Sequence, residues 1–411
     1  MNTLITIEMT TLEALRVLTN MLVFTGLVNR QFDPMFGVSG AKVGDVVYAR
    51  KPPRYIVRKG AGIQPQASTE TRTPVKLDQL AGIDLPFSSV DRTLSIDNYS
   101  DRFLKPALAA IANQIDYDGM QQYVNIYNVV GTPGTVPTST TANSTYLGAG
   151  VILDDMGAPQ DDQRFLVTTP NMQASIVNAN TSIFNPQAVI SEGFRKGRYG
   201  RGVVGFDWYM DQNCPTHTDG TRTGINGAAW SLNGTVSSGS SIILAGLTSG
   251  NTILAGDTFT IGAVATGPQS VNPQNRQATG SLQTFVNTAP VTADGGGAAT
   301  ITVAPEIVIS GAFQTVSKAA ASGLYLNMSG ASTMVSRVGL AFHRDCFTLV
   351  TAPLELPKGV HEAYYAGDDQ TGVGVRIVTA YDIRTNEMIT RFDVLYGWST
   401  LRPELGCRVY S

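Results

Sequence analysis

The sequence predicts an α+β protein that carries an inserted all-β domain, and three observations support that class. A run beginning at Pro106 keeps apolar residues at helical spacing. Short β-prone runs alternate with turn residues on both sides of it. Between residues 224 and 331 the composition shifts sharply, with five charged residues in the whole stretch (Asp257, Arg276, Asp294, Glu306 and Lys318). The chain has 411 residues, two to three domains at about 150 residues each. It can therefore build cores without disulfide or metal staples. Hydrophobic residues make up 43% and mean hydropathy is +0.01, which marks globular material, neither disordered nor membrane-spanning. Charged residues are 15%, against about 25% in an ordinary soluble domain. Such a chain has little free surface or covers that surface with partners. A formal charge of −3 excludes a generally cationic nucleic-acid binder. Arginine outnumbers lysine 21 to 8; planar bidentate pairing at interfaces and a base-composition bias both fit.

Thr10-Thr11-Leu12-Glu13 reads as a capping box, and Leu12, Leu15, Leu18, Leu22 and Val23 follow at helical spacing. Gly26 ends that helix. So short an amphipathic helix must dock its stripe on something. Residues 42–76 carry Lys42, Arg50, Lys51, Arg54, Arg58, Lys59, Arg72 and Lys76 against Asp45 and Glu70. Four prolines and Gly60 and Gly62 forbid helix there. Val46-Val47-Tyr48 and Tyr55-Ile56-Val57 read as the arms of an extended β excursion. The next segment reverses sign, with Asp78, Asp84, Asp91, Asp97 and Asp101. Two readings stay open: internal neutralisation along one hairpin, or a basic arm laid across an acidic face of a neighbouring copy.

After a short lead-in around 99–104, Leu108, Ile111, Ala112, Ile115, Gly119, Tyr123 and Tyr127 define one face of a long helix. At about 1.5 Å per residue it spans about 30 Å, a spine for a domain. Residues 131–148 read as turn and loop. Within 150–224, Arg164–Thr169 is a buried strand, Asn171–Asn180 a helix and Val203–Met210 a strand. In the charge-poor stretch, Ser241–Leu244, Thr258–Ile261, Leu282–Val286 and Thr300–Val303 recur between glycine turns, as a small barrel or sandwich would have them. Val375–Ala380 and Met388–Tyr396 are long strands joined by a turn from Asp382 to Asn386.

Catalytic chemistry is hard to find. Gly200-Arg-Gly-Val-Val-Gly205 matches a dinucleotide fingerprint as a string, but a strand-like run follows where a helix is required. P-loop and nucleophile-elbow motifs are absent. Cys214-Pro-Thr-His217 could supply two zinc ligands, yet no second pair follows at ligand spacing. His343 and Cys346 would pair only if the fold brought them together, and a core histidine is the plainer reading. Asp154-Asp155, Asp161-Asp162 and Asp368-Asp369 read as solvated turns. The three cysteines, Cys214, Cys346 and Cys407, suit buried reduced thiols in an intracellular compartment. No signal peptide is expected. The expectation is therefore no enzyme, no catalytic or cofactor-binding residue, no metal and no cofactor.

Five segments, in order, carry a resemblance. Ser95–Leu108 leads into the spine helix, and Gly205-Phe-Asp-Trp-Tyr-Met210 precedes the insert. Ala255–Ile261 and Val271–Gly280 lie in the insert, and Leu395–Pro403 forms the last strand and turn. Together they resemble the major capsid proteins of tailed phages, the Hong Kong 97 fold, in the Salmonella-type podovirus coat branch with an inserted β-barrel. The resemblance implies an N-arm over 1–45, an extended E-loop over 46–95 and a P-domain over 97–149 with its spine helix. An A-domain over 150–223 and 332–374, the insert over 224–331 and returning P-domain strands over 375–411 complete it.

The implied function is a coat protein that self-assembles as hexamers and pentamers into an icosahedral head around double-stranded DNA. Another virion component, a decoration or tail protein, is the alternative. Implied partners are the protein itself, a scaffolding protein and portal during assembly in the host cytoplasm, and DNA contacted non-specifically, with no membrane. Contact candidates between subunits are Arg50, Lys51, Arg54, Arg58, Lys59, Asp78, Asp84 and Asp91. Neither an isopeptide cross-link nor a cleaved N-terminal scaffolding segment is expected. Arg195–Arg201 is the remaining basic run, suited to non-specific phosphate contact.

Overall fold

The computed structural model describes residues 7–30, 46–58, 60–63, 65–66, 70–88, 105–179, 204–222, 230–368 and 373–411. The lead-in at 99–104 and the basic run at 195–201 lie outside them. The fold is α+β, in two compact units. The first comprises residues 1–51, 72–120 and 347–401, and the second 52–71, 121–346 and 402–411.

In the first unit a five-stranded antiparallel sheet is organised on the long strand Glu387–Thr400. Gln79–Ser88 pairs with it over ten residues, from Ser88 opposite Glu387 to Gln79 opposite Tyr396. Val373–Asp382 pairs with its first half and Phe347–Ala352 with its second. Glu362–Asp368 then extends the sheet beyond Val373–Asp382. Alternation places Val373, Val375 and Ile377, and Phe392, Val394 and Tyr396, in the core.

The spine helix is Lys105–Met120, with Pro106 in its first turn and Leu108, Ile111, Ala112 and Ile115 buried as the spacing predicts. It tightens into a 3-10 turn at Gln121–Asn125. Gly119 is needed where it stands, because a Cβ there would lie 2.6 Å from Trp398 Cζ2 and 2.9 Å from Phe24 Cδ1. The N-terminal helix runs Ile7–Met21, so Thr10 lies inside it rather than capping it. Its buried face is Thr11, Ala14, Leu15, Val17 and Leu18, while Leu12 is 51% exposed. Packing, and not the capping string, sets that register. Gly26 falls within a second short helix, Phe24–Leu27.

The excursion expected over 46–95 is narrower as a hairpin. Its arms are Val46–Arg50 and Arg72–Lys76, since Gln79–Ser88 already belongs to the sheet. Tyr55–Val57 is not a strand; the Gln66 amide takes the place of a ladder partner, accepting from the Ile56 N–H at 2.8 Å and donating to its carbonyl.

The second unit holds a mixed sheet in the order Val129–Val130, Gly406–Tyr410, Val335–His343, Arg164–Thr168 and Asp207–Met210, with Thr216–Thr218 also on Val335–His343. The outer pairs, Val129–Val130 with Gly406–Tyr410 and Arg164–Thr168 with Asp207–Met210, are parallel. Helix Pro170–Ala179 follows its strand as expected. Residues 142–148, read as loop, instead open helix Ala142–Asp155. Its Asn, Ser, Thr and glycines hid it, although Tyr146, Ala149 and Leu153 are buried at helical spacing. The 332–374 stretch divides between the units: Val335–His343 joins this sheet, whereas Phe347–Ala352 and Glu362–Asp368 lie in the first. The final strand pairs with Val338–Phe342 and so belongs to the second.

The charge-poor stretch forms an antiparallel sheet in the order Leu326–Met328, Thr258–Ile261, Thr284–Asn287, Ala299–Val308, Ser238–Ala245 and Ser231–Leu232. Its two end strands meet through a bridge between Ser231 and Tyr325. Leu232 N–H donates to Leu324 O at 2.9 Å and Leu326 N–H to Trp230 O at 3.0 Å, so the sheet nearly closes. Trp230, Leu232, Ile242, Leu244, Phe259, Ile261, Phe285, Ile301 and Val303 fill the interior. Its two ends lie side by side: Thr218 opposes Val335, and the Asp219 N–H reaches Met334 O at 2.9 Å. Neighbouring ends let a self-contained core be inserted without rearranging the sheet it interrupts.

Candidate assembly surfaces and the charged node at the insert

Six of the eight contact candidates are among the described residues: Arg50, Lys51, Asp78 and Asp84 in the first unit, and Arg54 and Arg58 in the second. Arg50 ends a hairpin arm opposite Arg72 and is exposed; Lys51, beside it, is half-buried. Asp78 is 3.7 Å from Lys76. Asp84 faces Arg391 across the sheet at 3.5 Å, so its charge is met by the long strand and not by the basic arm. Lys59 and Asp91 lie outside the described residues.

Arg58 is exposed and donates to the Gly60 carbonyl. Arg54 is engaged within its own chain: Nη2 lies 2.9 Å from Glu404 Oε1, and the guanidinium sits 5.9 Å from the centre of the Phe313 ring. Around these charges the connecting segment presents apolar side chains to water. Val57 is 85% and Ile63 86% exposed, with Tyr55 and Ile56 also exposed. Four large apolar side chains exposed within one short segment make it a candidate interaction surface.

A second feature, not foreseen, lies where the insert begins. The Tyr123 hydroxyl donates to His217 Nδ1 at 3.0 Å, and His217 Nε2–H donates to Asp257 Oδ1 at 3.0 Å. A carboxylate accepts only, which fixes that tautomer. Asp257 Oδ2 also accepts the amides of Leu254 (3.0 Å) and Gly220 (3.2 Å). Arg222 Nη2 is 2.6 Å from Asp219 Oδ1 and 4.0 Å from Asp257 Oδ2. Arg408 donates to the carbonyls of Gly256 (2.6 Å) and Val124 (3.2 Å) and lies over the Tyr123 ring. Tyr123, His217, Asp219, Arg222, Asp257 and Arg408 are all buried.

Burial pushes the Asp219 carboxyl up against the pull of Arg222. Donor atoms of His217, Asp219 and Asp257 are close enough together to share a cation. Two arginines already balance the two carboxylates, however, and a divalent ion would leave the pocket with uncompensated buried positive charge. The node is a structural tie joining the 3-10 turn, the strand Thr216–Thr218, the insert and the last strand. Its members are scattered at 123, 217, 219, 222, 257 and 408, with no spacing signature. The available signal was Asp257, one of few charges in its stretch.

The other candidates also serve structure. His343 is buried, donates from Nε2 to Asp161 at 3.1 Å and accepts the Asp345 amide on Nδ1 at 3.2 Å. Asp154 and Asp161 are thus not free turns: Asp154 meets the buried Arg164 at 2.7 Å. Burial pushes up both carboxyls, but hydrogen bonds from Gln160 and Arg164 on Asp154, and from His343 on Asp161, prevail and lower them. Burial raises the thiols of Cys214, Cys346 and Cys407 far above their ordinary value. That is the opposite of what a nucleophile needs.

Among the described residues the buried charged groups are engaged with one another or with the backbone, and exposed apolar and charged side chains lie on one connecting segment, as a structural protein would have them. The model of the family described as P22 coat protein, gene protein 5, matches residues 85–410. The chain belongs to the P22 coat protein family. It is a major capsid protein of the phage head, a structural component of the virion whose copies form the shell. A search of the curated proteins finds no match. Among solved structures the chain is similar to one from Mycobacterium phage Che8, at 14% identity and TM-score 0.48, over 94% of this chain and 90% of that one. It is also similar to the capsid of cyanophage P-SCSP1u, at 12% identity and TM-score 0.47, over 95% and 88%.

Proposed function

We propose that the chain assembles as hexamers and pentamers into an icosahedral shell of the Hong Kong 97 type around double-stranded DNA. In this reading the hairpin and its connecting segment are the extended loop, Lys105–Met120 is the P-domain spine, and the nearly closed sheet is the inserted barrel. A scaffolding protein and a portal act during assembly in the host cytoplasm, and packaged DNA is met without base specificity. The chain carries out no catalysis.

The exposed cluster of Tyr55, Ile56, Val57 and Ile63 beside Arg58 supports the reading most directly. A single chain leaves it in water, and a neighbouring copy would cover it. Arg50, Lys51, Arg54, Arg58 and Lys59 are proposed to face acidic groups of that neighbour, with Asp78, Asp84 and Asp91 as reciprocal contacts. Such charges would set register more than strength.

The test is negative-stain electron microscopy of the chain expressed alone and with its neighbouring genes. Closed shells with six- and fivefold capsomers are expected. Arg50→Glu with Arg58→Glu should yield a folded protein that forms none. A stable monomer under every condition would remove the reading, and normal shells from the charge-reversed chain would remove the role of the basic arm.

A further inference from the structure

We infer that Arg54 and Glu404 form an intramolecular latch, which holds the connecting segment against its own chain until a neighbouring copy takes it up. The inference rests on the proposed role of that segment in assembly. Residues 54–57 contrast sharply. Arg54 is mostly buried, its guanidinium held between Glu404 and Phe313. The three residues that follow it are exposed, Val57 at 85%. One more tether acts nearby, where Arg276 donates to the Tyr55 carbonyl. The segment is thus fastened at its start by polar groups while its apolar side chains stay uncovered.

Glu404 makes the fastening releasable. The oxygen that receives Arg54, Oε1, also lies 3.2 Å from Arg402 Nε. If Arg54 leaves, the carboxylate keeps a cation, so no unpaired charge is stranded in a partly buried site. Breaking a buried pair is normally costly because it strands one partner; here that cost is removed. A departing Arg54 gains water or an acidic partner on the next copy, and the apolar cluster is free to be covered. The latch therefore delays assembly without opposing the assembled state.

The test uses the full chain, unassembled and then assembling. Glu404→Gln keeps the shape of the side chain and removes its charge. Hydrogen exchange of the amides at 54–58, and trypsin cleavage after Arg58, should quicken about fivefold, the scale of one partly exposed ion pair. The light-scattering lag should shorten, with shells of unchanged form. Because Glu404→Gln also disturbs Arg402, Arg54→Gln is a second variant that leaves Arg402 and Glu404 paired; it too should speed exchange about fivefold.

Unchanged exchange in both variants would overturn the latch. Faster exchange with slower or abolished assembly in Glu404→Gln would also overturn it, because the contact would then belong to the finished shell. Failure of the wild-type chain to form shells at all would instead count against the proposed function.

Discussion

Asp116 should be the most damaging single substitution in the first unit. It projects from the spine helix and is 2% exposed. Its Oδ2 accepts the amides of Val23 (2.7 Å) and Phe24 (3.3 Å), and its Oδ1 the amide (3.0 Å) and hydroxyl (2.7 Å) of Thr25. These amides open the short helix Phe24–Leu27 and have no partner within it. Hydrogen bonds to a charged acceptor contribute about 1.5–3 kcal/mol each. Four bonds to one carboxylate do not add, and about 4 kcal/mol is the expected loss in Asp116→Ala.

At about 1.4 kcal/mol per tenfold, local opening should rise on the order of a thousandfold. Hydrogen exchange at residues 23–25 reads this directly, and Trp398 reports independently because its ring centre is 5.5 Å from that of Phe24. Asp118→Asn, at a carboxylate that accepts the Tyr396 hydroxyl at 2.6 Å and the Gln114 amide at 2.8 Å, is the control. If Asp116→Ala left exchange at 23–25 unchanged, the carboxylate would not be what holds this segment and the reasoning would fail.

Gly119→Ala should destabilise the same unit by about 1–3 kcal/mol through overpacking against Trp398, seen as a shift in its fluorescence; an unshifted spectrum with unchanged stability would mean the helix simply moves aside. Asp257→Asn should cost about 3–5 kcal/mol, the penalty of breaking a buried ionic network, measured by urea unfolding of the second unit, whereas a chelator should leave the wild-type transition where it is, since Arg222 supplies the positive charge. The Asp154 carboxyl is lowered below its ordinary 3.8, so its pairing stabilises fully above that value and is lost as pH falls through the lower folded value. Asp154→Asn should accordingly be less stable at neutral pH and show a shallower acid limb; a limb as steep as wild type would assign acid sensitivity to other carboxylates.

Elements with strong periodicity or strong composition were legible in the sequence. The spine helix, the strands around 375–396 and the β-rich insert all announce themselves by spacing or by lack of charge. Helix Ala142–Asp155 did not, because Asn143, Ser144, Thr145, Gly148 and Gly150 are turn residues by propensity, and only burial of Tyr146, Ala149 and Leu153 makes them helical. Tyr55–Val57 failed in the other direction: the residues are β-prone, but a glutamine side chain and not a strand meets them. The division of 332–374 between units was also hidden, since local pattern identifies strands but long-range register decides which sheet receives them. The interaction candidates were legible as charges on an excursion; which of them are already taken was not.

That last gap follows from where the charges are used. Arg164, Arg222 and Arg408 are buried in the second unit, as are Asp116 and Asp393 in the first. Asp393 alone takes Arg376 at 2.5 Å and Arg391 at 2.8 Å, and Gly82 leaves it room, since a Cβ there would lie 2.6 Å from its Oδ1. A chain with 15% charged residues thus spends part of a small supply inside its own units, where low dielectric makes each pair directional and each loss costly. Fewer charges are left for the outside. In the assembly proposed above, contact strength between copies would come chiefly from apolar groups such as Val57 and Ile63, while the exposed charges at Arg50, Arg58, Asp78 and Asp84 would choose the register. In such an assembly salt would screen only the charged contacts, and a few charges would suffice to refuse a wrong alignment.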